Sequence, residues 1–147
     1  MMIFREARRE EVPSIVALLA DDVLGAGRET ALDHVYWAAF DQIAADANNR
    51  LIVAEIDGQI AGTMQLTLLP GLSRHGMLRA QIEAVRVAAR QRGQGLGRAM
   101  IEWAIEQARE RGCGLVQLTS DKRRPDAIRF YEAMGFTASH EGLKLPL

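Results

Sequence analysis

The chain is poor in the residues that staple small folds or hold metals: 147 residues contain one cysteine, Cys113, and three histidines, His34, His75 and His140. A lone cysteine forms no internal disulfide and the histidines lack zinc-site spacing, so a reducing, cytoplasmic setting without metal is expected. Neither sign of charge is in excess. Eighteen Lys plus Arg against nineteen Asp plus Glu leave a formal net charge of -1, too little to neutralise a run of phosphates, so no nucleic-acid partner is expected. Long apolar runs are missing too. The first dozen residues carry Arg5, Glu6, Arg8, Arg9, Glu10 and Glu11, unlike a secretory signal. The longest uncharged stretch, Gly58 to Ser73, contains Gln59, Gln65, Pro70 and three glycines, too short and polar for a membrane span. No membrane partner is expected, and there is no internal repeat or low-complexity segment.

What remains is an ordinary globular composition, 48% hydrophobic and 25% charged, of a length that suits a single domain over residues 1–147. Ile3 to Arg8 alternates like a half-buried strand, and Val12, Ile15, Val16 and Leu19 follow at helical spacing. After a turn-rich segment from Asp21 to Thr30, Leu32, Val35, Tyr36, Ala39, Phe40 and Ile43 predict a second amphipathic helix. Arg50 to Ile56 and Gln59 to Leu68 read as strands joined by Asp57-Gly58, a two-residue hairpin signal. Pro70 and Gly71 break the second, and Ala80 to Val87 is a further strand. Leu96, Ala99, Met100, Trp103, Ala104 and Ala108 form the apolar face of a helix that Gly112 stops. Glu102, Glu106 and Glu110 on another face read as solvated surface. Leu115 to Thr119 predicts a buried strand, Pro125 opens a short helix that Gly135 ends at a left-handed cap, and Thr137 to about Lys144 predicts a final strand. The order implies an α/β fold with a mixed, mostly antiparallel sheet.

The stretch Arg92-Gly93-Gln94-Gly95-Leu96-Gly97, between a strand and a helix, carries the most chemistry. Glycines near a helix start leave backbone N–H groups unobstructed, and the positive end of the helix dipole adds roughly half a charge, which suits a phosphate or pyrophosphate. Arg92 and Arg98 flank the loop and offer charge-assisted bonds to the same anion; a merely tight connection is the alternative. A P-loop would need Gly-Lys-Ser/Thr, and no Lys follows these glycines. A dinucleotide fingerprint would need a third glycine where Arg98 stands, although Asp121 lies about where a ribose-binding carboxylate would sit.

Arg92 to Gly97 matches the Q/R-x-x-G-x-G/A signature of the GNAT superfamily of acetyl-CoA-dependent N-acetyltransferases, and the preceding Ile82 to Val87 resembles its central strand. Asp126 to Phe136, with the Phe130-Tyr131 pair and Gly135-Phe136, resembles the family's second signature, about thirty residues on. The resemblance implies a GNAT-like mixed sheet flanked by about four helices, with acyl-CoA in the splay of the central strands. Backbone groups of Val85, Arg86 and Val87 would bind the pantetheine arm, and N–H groups from Arg92 through Gly93, Gln94, Gly95, Leu96 and Gly97 to Arg98 the pyrophosphate. Phe130 is placed among the cofactor contacts. The amine attacks the thioester directly in this family, so Cys113 is not needed as a nucleophile.

For the chemistry, Glu83 on the central strand is the carboxylate best placed to take the ammonium proton, with a surface or ion-pairing role as its alternative. The backbone N–H near Val85 is the donor implied for the carbonyl oxygen. Tyr131 matches the tyrosine that protonates the leaving thiolate, or else is an aromatic on the buried face of its helix. Arg124 stands where many relatives carry an Asn that touches pantetheine; with Lys122 and Arg123 it would meet phosphate or a substrate carboxylate, or form a solvated basic loop. The expected reaction is acetyl transfer from acetyl-CoA to a primary amine of a small molecule. Acceptor specificity falls to residues 21–35 and 70–78, where Asp21 and Asp22 would attract a cationic amine. Protein N-terminal acetylation and a non-catalytic acyl-CoA sensor are the alternatives. Dimers through the sheet or its terminal strand are common in the family, so a homodimer belongs to the same expectation.

Overall fold

The computed structural model describes residues 1–21, 24–29 and 32–147. Its strands β1 (Met2–Glu6), β2 (Asn49–Ile56), β3 (Gln59–Leu69), β4 (Arg79–Val87) and β5 (Leu115–Gln117) pair in sequence order in one sheet. Helices α1 (Val12–Ala20) and α2 (His34–Ala45) follow β1, the single turn α3 (Ser73–Gly76) precedes β4, and α4 (Leu96–Glu110) and α5 (Pro125–Ala133) complete the set. The chain packs as two compact units, Met1–Gln117 and Leu118–Leu147.

In the first unit, Asp57 and Gly58 both take positive φ, 50° and 80°, the backbone of a tight hairpin turn whose twist matches the strands it joins. The pairs β1–β2, β2–β3 and β3–β4 are therefore antiparallel, while β4–β5, connected through α4, is parallel. This is the expected mixed sheet. Helix α4 lies against β3, β4 and β5, and α1 against β3 and β4. Met100, Ile101, Ala104 and Ala108 of α4 are buried, as are Ile52, Met64, Leu66, Ala80 and Ile82 of the sheet. Gly112, at φ 78°, ends α4 where the sequence placed its stop.

Close approach of α4 to the sheet depends on Gly62. A Cβ there would lie 2.8 Å from Met100 Sδ and 3.0 Å from the Arg86 carbonyl oxygen, and the second neighbour is backbone that cannot swing away. Gly62→Ala is expected to destabilise the protein by about 1–3 kcal/mol, lowering Tm by several degrees in a thermal melt.

The end of β1 is tied to the start of α1 by charge. Arg5 donates to both Glu11 carboxylate oxygens, at 2.9 and 2.6 Å, and to Glu55 at 3.3 Å. The Arg5 hydrogen bond holds the Glu11 carboxyl below its usual range, against the opposing pull of burial. A carboxylate of depressed pKa stabilises the fold above its unfolded pKa, about 4.3 for Glu, and loses that contribution as pH falls through the folded value. Glu11→Gln is accordingly expected to cost about 1–3 kcal/mol at pH 7. The gap to the parent should close below about pH 4, as read from urea melts across pH.

Two expectations need correction. Leu115 to Thr119 is not a buried strand: β5 ends at Gln117 and is only half-buried, because among the described residues it is an edge strand paired to β4 alone. The second amphipathic helix forms as α2, its stripe covered along Tyr36, Phe40 and Ile43, which are half-buried, while Val35 is 51% exposed. In the second unit, 137–147 forms no strand. A strand requires a partner ladder for its backbone, which residues 137–144 lack, and Leu143 is exposed. The cap of α5 forms as expected: Gly135 takes φ 101°, and Phe136 N–H donates to the Tyr131 carbonyl at 3.1 Å.

Candidate active site

The glycine loop has the form of an anion cradle. Gly93 and Gly95 take φ 76° and 83°, a region that costs a side-chain-bearing residue about 1–2 kcal/mol, and a Cβ at either would meet nothing within 4 Å. Gly95 is the N-cap of α4 and supplies no side-chain cap, so the first-turn N–H groups of Leu96, Gly97 and Arg98 are left to an outside acceptor. The flanking arginines are turned elsewhere. Arg92 donates to the Val87 carbonyl at 3.2 Å and the Asp21 carbonyl at 2.9 Å, with the Asp21 carboxylate 3.5 Å away. Arg98 pairs with Glu102 at 2.9 Å. Gln94 donates to the Arg90 carbonyl. The cradle is therefore backbone, with the arginines bracing its walls.

Beside the loop the sheet opens. Pairing between β4 and β5 stops at Gln81 and Gln117, while β4 runs on to Val87, so among the described residues Ile82–Val87 has a strand neighbour only on its β3 side. Within this stretch Glu83 faces Gln65 and Arg86 faces Thr63, which leaves Met64 alone opposite Ala84 and Val85. That is a β-bulge, and Ala84 takes φ 54° to make it. Glu83 and Ala84 are exposed at the bulge, and Val85, Arg86 and Val87 are half-buried. The Val85 carbonyl accepts from Arg86 Nη1 at 2.9 Å. A strand that has parted from β5 and ends at a glycine anion cradle fits the two polar parts of acyl-CoA, its amide-bearing arm and its pyrophosphate.

The sheet face that carries Glu83 is polar. Gln65 Nε2 and Thr67 Oγ1 both donate to Asn49 Oδ1, at 2.9 and 2.7 Å. Gln117 Nε2 donates to Gln81 Oε1 at 3.0 Å, and Arg79 to Gln117 Oε1 at 3.2 Å. Sequence reasoning passed over these amides; the signal was a polar residue at every second position, Arg79, Gln81 and Glu83 on β4 and Gln65 and Thr67 on β3.

In the second unit, the Tyr131 ring packs edge-on to Phe130 at 5.1 Å and Phe136 at 5.7 Å. Tyr131 is half-buried and Phe130 is 36% exposed. Arg124 is the N-cap of α5. Its basic neighbours are engaged: Lys122 pairs with Glu141, and Arg123 donates to Asp121 at 2.8 and 3.0 Å, holding that carboxyl far below its usual range. In the first unit, burial pushes the Cys113 thiol up, which keeps it a thiol at neutral pH. Asp22 and Thr30 lie outside the described residues. Among the described residues no cluster of three His, Cys, Asp or Glu side chains could hold a metal ion, and no helix is long and apolar enough to cross a membrane.

The comparisons agree with this geometry. The model of the Acetyltransferase (GNAT) family matches residues 8–136, and the chain belongs to that family. It is an acyl-CoA-dependent N-acetyltransferase whose acyl donor is acetyl-CoA. Among solved structures it is similar to a transcriptional regulator from Bacillus halodurans C-125, at 50% identity over 100% of both chains and a TM-score of 0.96. It is also similar to a putative acetyltransferase from Agrobacterium tumefaciens str. C58, at 28% identity over 99% of both chains and a TM-score of 0.88. An acetyltransferase from Trypanosoma brucei matches at 28% identity over 100% of both chains, with a TM-score of 0.82. No curated protein matches the chain.

Proposed function

We propose that the protein transfers the acetyl group of acetyl-CoA to a primary amine of a small molecule, with Glu83 as the base. The observation that carries this reading is the position of Glu83, exposed on β4 beside the Ala84 bulge, where the strand has parted from β5. Acetyl-CoA supplies an activated thioester carbonyl and a thiol leaving group. The chain's own part is to hold and orient. Backbone of Val85, Arg86 and Val87 binds the extended arm, and the N–H groups of the Arg92–Arg98 loop bind the pyrophosphate. Glu83 accepts the ammonium proton, so that the nitrogen forms the new C–N bond as the C–S bond breaks. The N–H near Val85, beside the bulge, is the donor for the carbonyl oxygen.

Tyr131 as the acid that returns a proton to sulfur, Phe130 as a cofactor contact and Arg124 as a binder of phosphate or substrate carboxylate rest on the second motif. The family match across residues 8–136 supports reading 1–147 as one acetyltransferase domain. A cytoplasmic setting and a homodimer belong to the same reading. The net charge of -1 offers no electrostatic drive toward DNA, so the name borne by the Bacillus relative is not carried over.

The test is CoA release measured with a library of small amines, beside a peptide with a free N-terminus. Turnover with small amines supports the reading. Turnover with the peptide alone would favour a protein N-terminus as acceptor, and acetyl-CoA binding without any turnover would favour a sensor.

A further inference from the structure

We infer that the acceptor is a polyhydroxylated primary amine, recognised by a row of carboxamides on the β3–β4–β5 face beside Glu83. The inference rests on the proposed role of Glu83 and adds the class of the acceptor. Gln65 lies directly across from Glu83, Thr67 across from Gln81, and Gln81 across from Gln117, so all share one sheet face. The opposite face of the same strands is closed and apolar, with Met64, Leu66, Ala80 and Ile82 at most 3% exposed. The amide face is half-buried, reachable from solvent but not dissolved in it.

Carboxamides on a half-buried sheet face need hydrogen-bond partners for both ends of the amide. Their placement here has a directional logic. Asn49 takes the amide N–H of Gln65, which leaves the Gln65 carbonyl oxygen as the acceptor end facing the Glu83 row. Gln117 donates to the Gln81 oxygen, which leaves the Gln81 NH2 as the donor end. Residues two apart on a strand stand roughly 7 Å apart and cross-strand neighbours about 5 Å. An acceptor and a donor thus flank Glu83 at the span of one six-membered ring. A hydroxyl both donates and accepts, so a ring bearing hydroxyls beside its amine satisfies both ends. A polyamine finds Glu83 as the one carboxylate of these rows and meets Arg79 on the same face, and an apolar amine would strand the amides unpaired.

The test compares glucosamine, cyclohexylamine and spermidine as acceptors, at one pH and with rates expressed per total amine, in the parent protein and in Gln81→Leu and Gln117→Leu. Glucosamine is expected to exceed cyclohexylamine in kcat/KM by about 10²-fold or more, since a site built for hydroxyls rejects the analogue that lacks them. Gln81→Leu should cut glucosamine kcat/KM by roughly tenfold or more, mainly through KM. It should leave cyclohexylamine turnover and acetyl-CoA binding nearly unchanged. Calorimetric binding of glucosamine to the CoA-loaded protein should weaken in parallel. Equal rates for the three amines, a preference for spermidine, or an equal loss for every amine in Gln81→Leu would overturn the inference while leaving acetyl transfer intact. Absence of turnover with every amine, despite acetyl-CoA binding, would overturn the proposed function beneath it.

Discussion

Glu83→Gln is expected to lower kcat at neutral pH by about 10²-fold or more, with acetyl-CoA binding unchanged. Gln keeps the size and hydrogen-bonding reach of the side chain across from Gln65 and removes only its capacity to take a proton. An alkyl ammonium with a pKa near 10 is about 0.1% free amine at pH 7. The variant must wait for that fraction, and the parent need not. Its kcat/KM should therefore climb about tenfold per pH unit towards the amine's own pKa, closing the gap to the parent, in a CoA-release assay from pH 6 to 10. Acetyl-CoA binding is checked separately by thermal shift, where a ligand at a hundred times its Kd adds about 2.7 kcal/mol of stability. A deficit that stays constant across pH would make Glu83 a positioning residue. No deficit would remove it from the mechanism.

The second large effect is expected from Tyr131→Phe, a fall in kcat of roughly 10²-fold. Only the hydroxyl is lost. The edge-on ring contacts with Phe130 and Phe136 survive in phenylalanine. If the hydroxyl protonates the departing sulfur, as proposed, an acetyl thioester of a more acidic thiol should need it less, and the deficit should shrink with such a donor. An equal deficit for both donors would mean that the hydroxyl orients rather than protonates, and an unchanged kcat would end its role.

The local signals of the sequence were sufficient where the physics is local. Asp57-Gly58 closes its hairpin because those residues tolerate positive φ, and Gly112 and Gly135 end their helices for the same reason. The open backbone of the glycine loop before α4 was legible, since it depends on missing side chains and on a helix start. Glu83 was legible as a residue of the strand before that loop, where β4 carries it. The final strand was misread: a β-prone run from Thr137 to Lys144 does not by itself supply a partner for its backbone.

By itself, then, the sequence carried the two motifs by which it resembles the GNAT family, and with that resemblance the acetyl-CoA donor; most of the elements and the backbone of the glycine loop follow from spacing and periodicity, which are properties of neighbours along the chain. Tertiary structure decided the rest. It bulged β4 at Ala84, parted β4 from β5 after Gln81 and turned Arg92 onto Asp21. It also gathered the amides of Asn49, Gln65, Gln81 and Gln117 onto the face that holds Glu83. Each of these depends on pairing register between segments far apart in sequence, where a shift of one residue would turn every side chain of a strand to the other face.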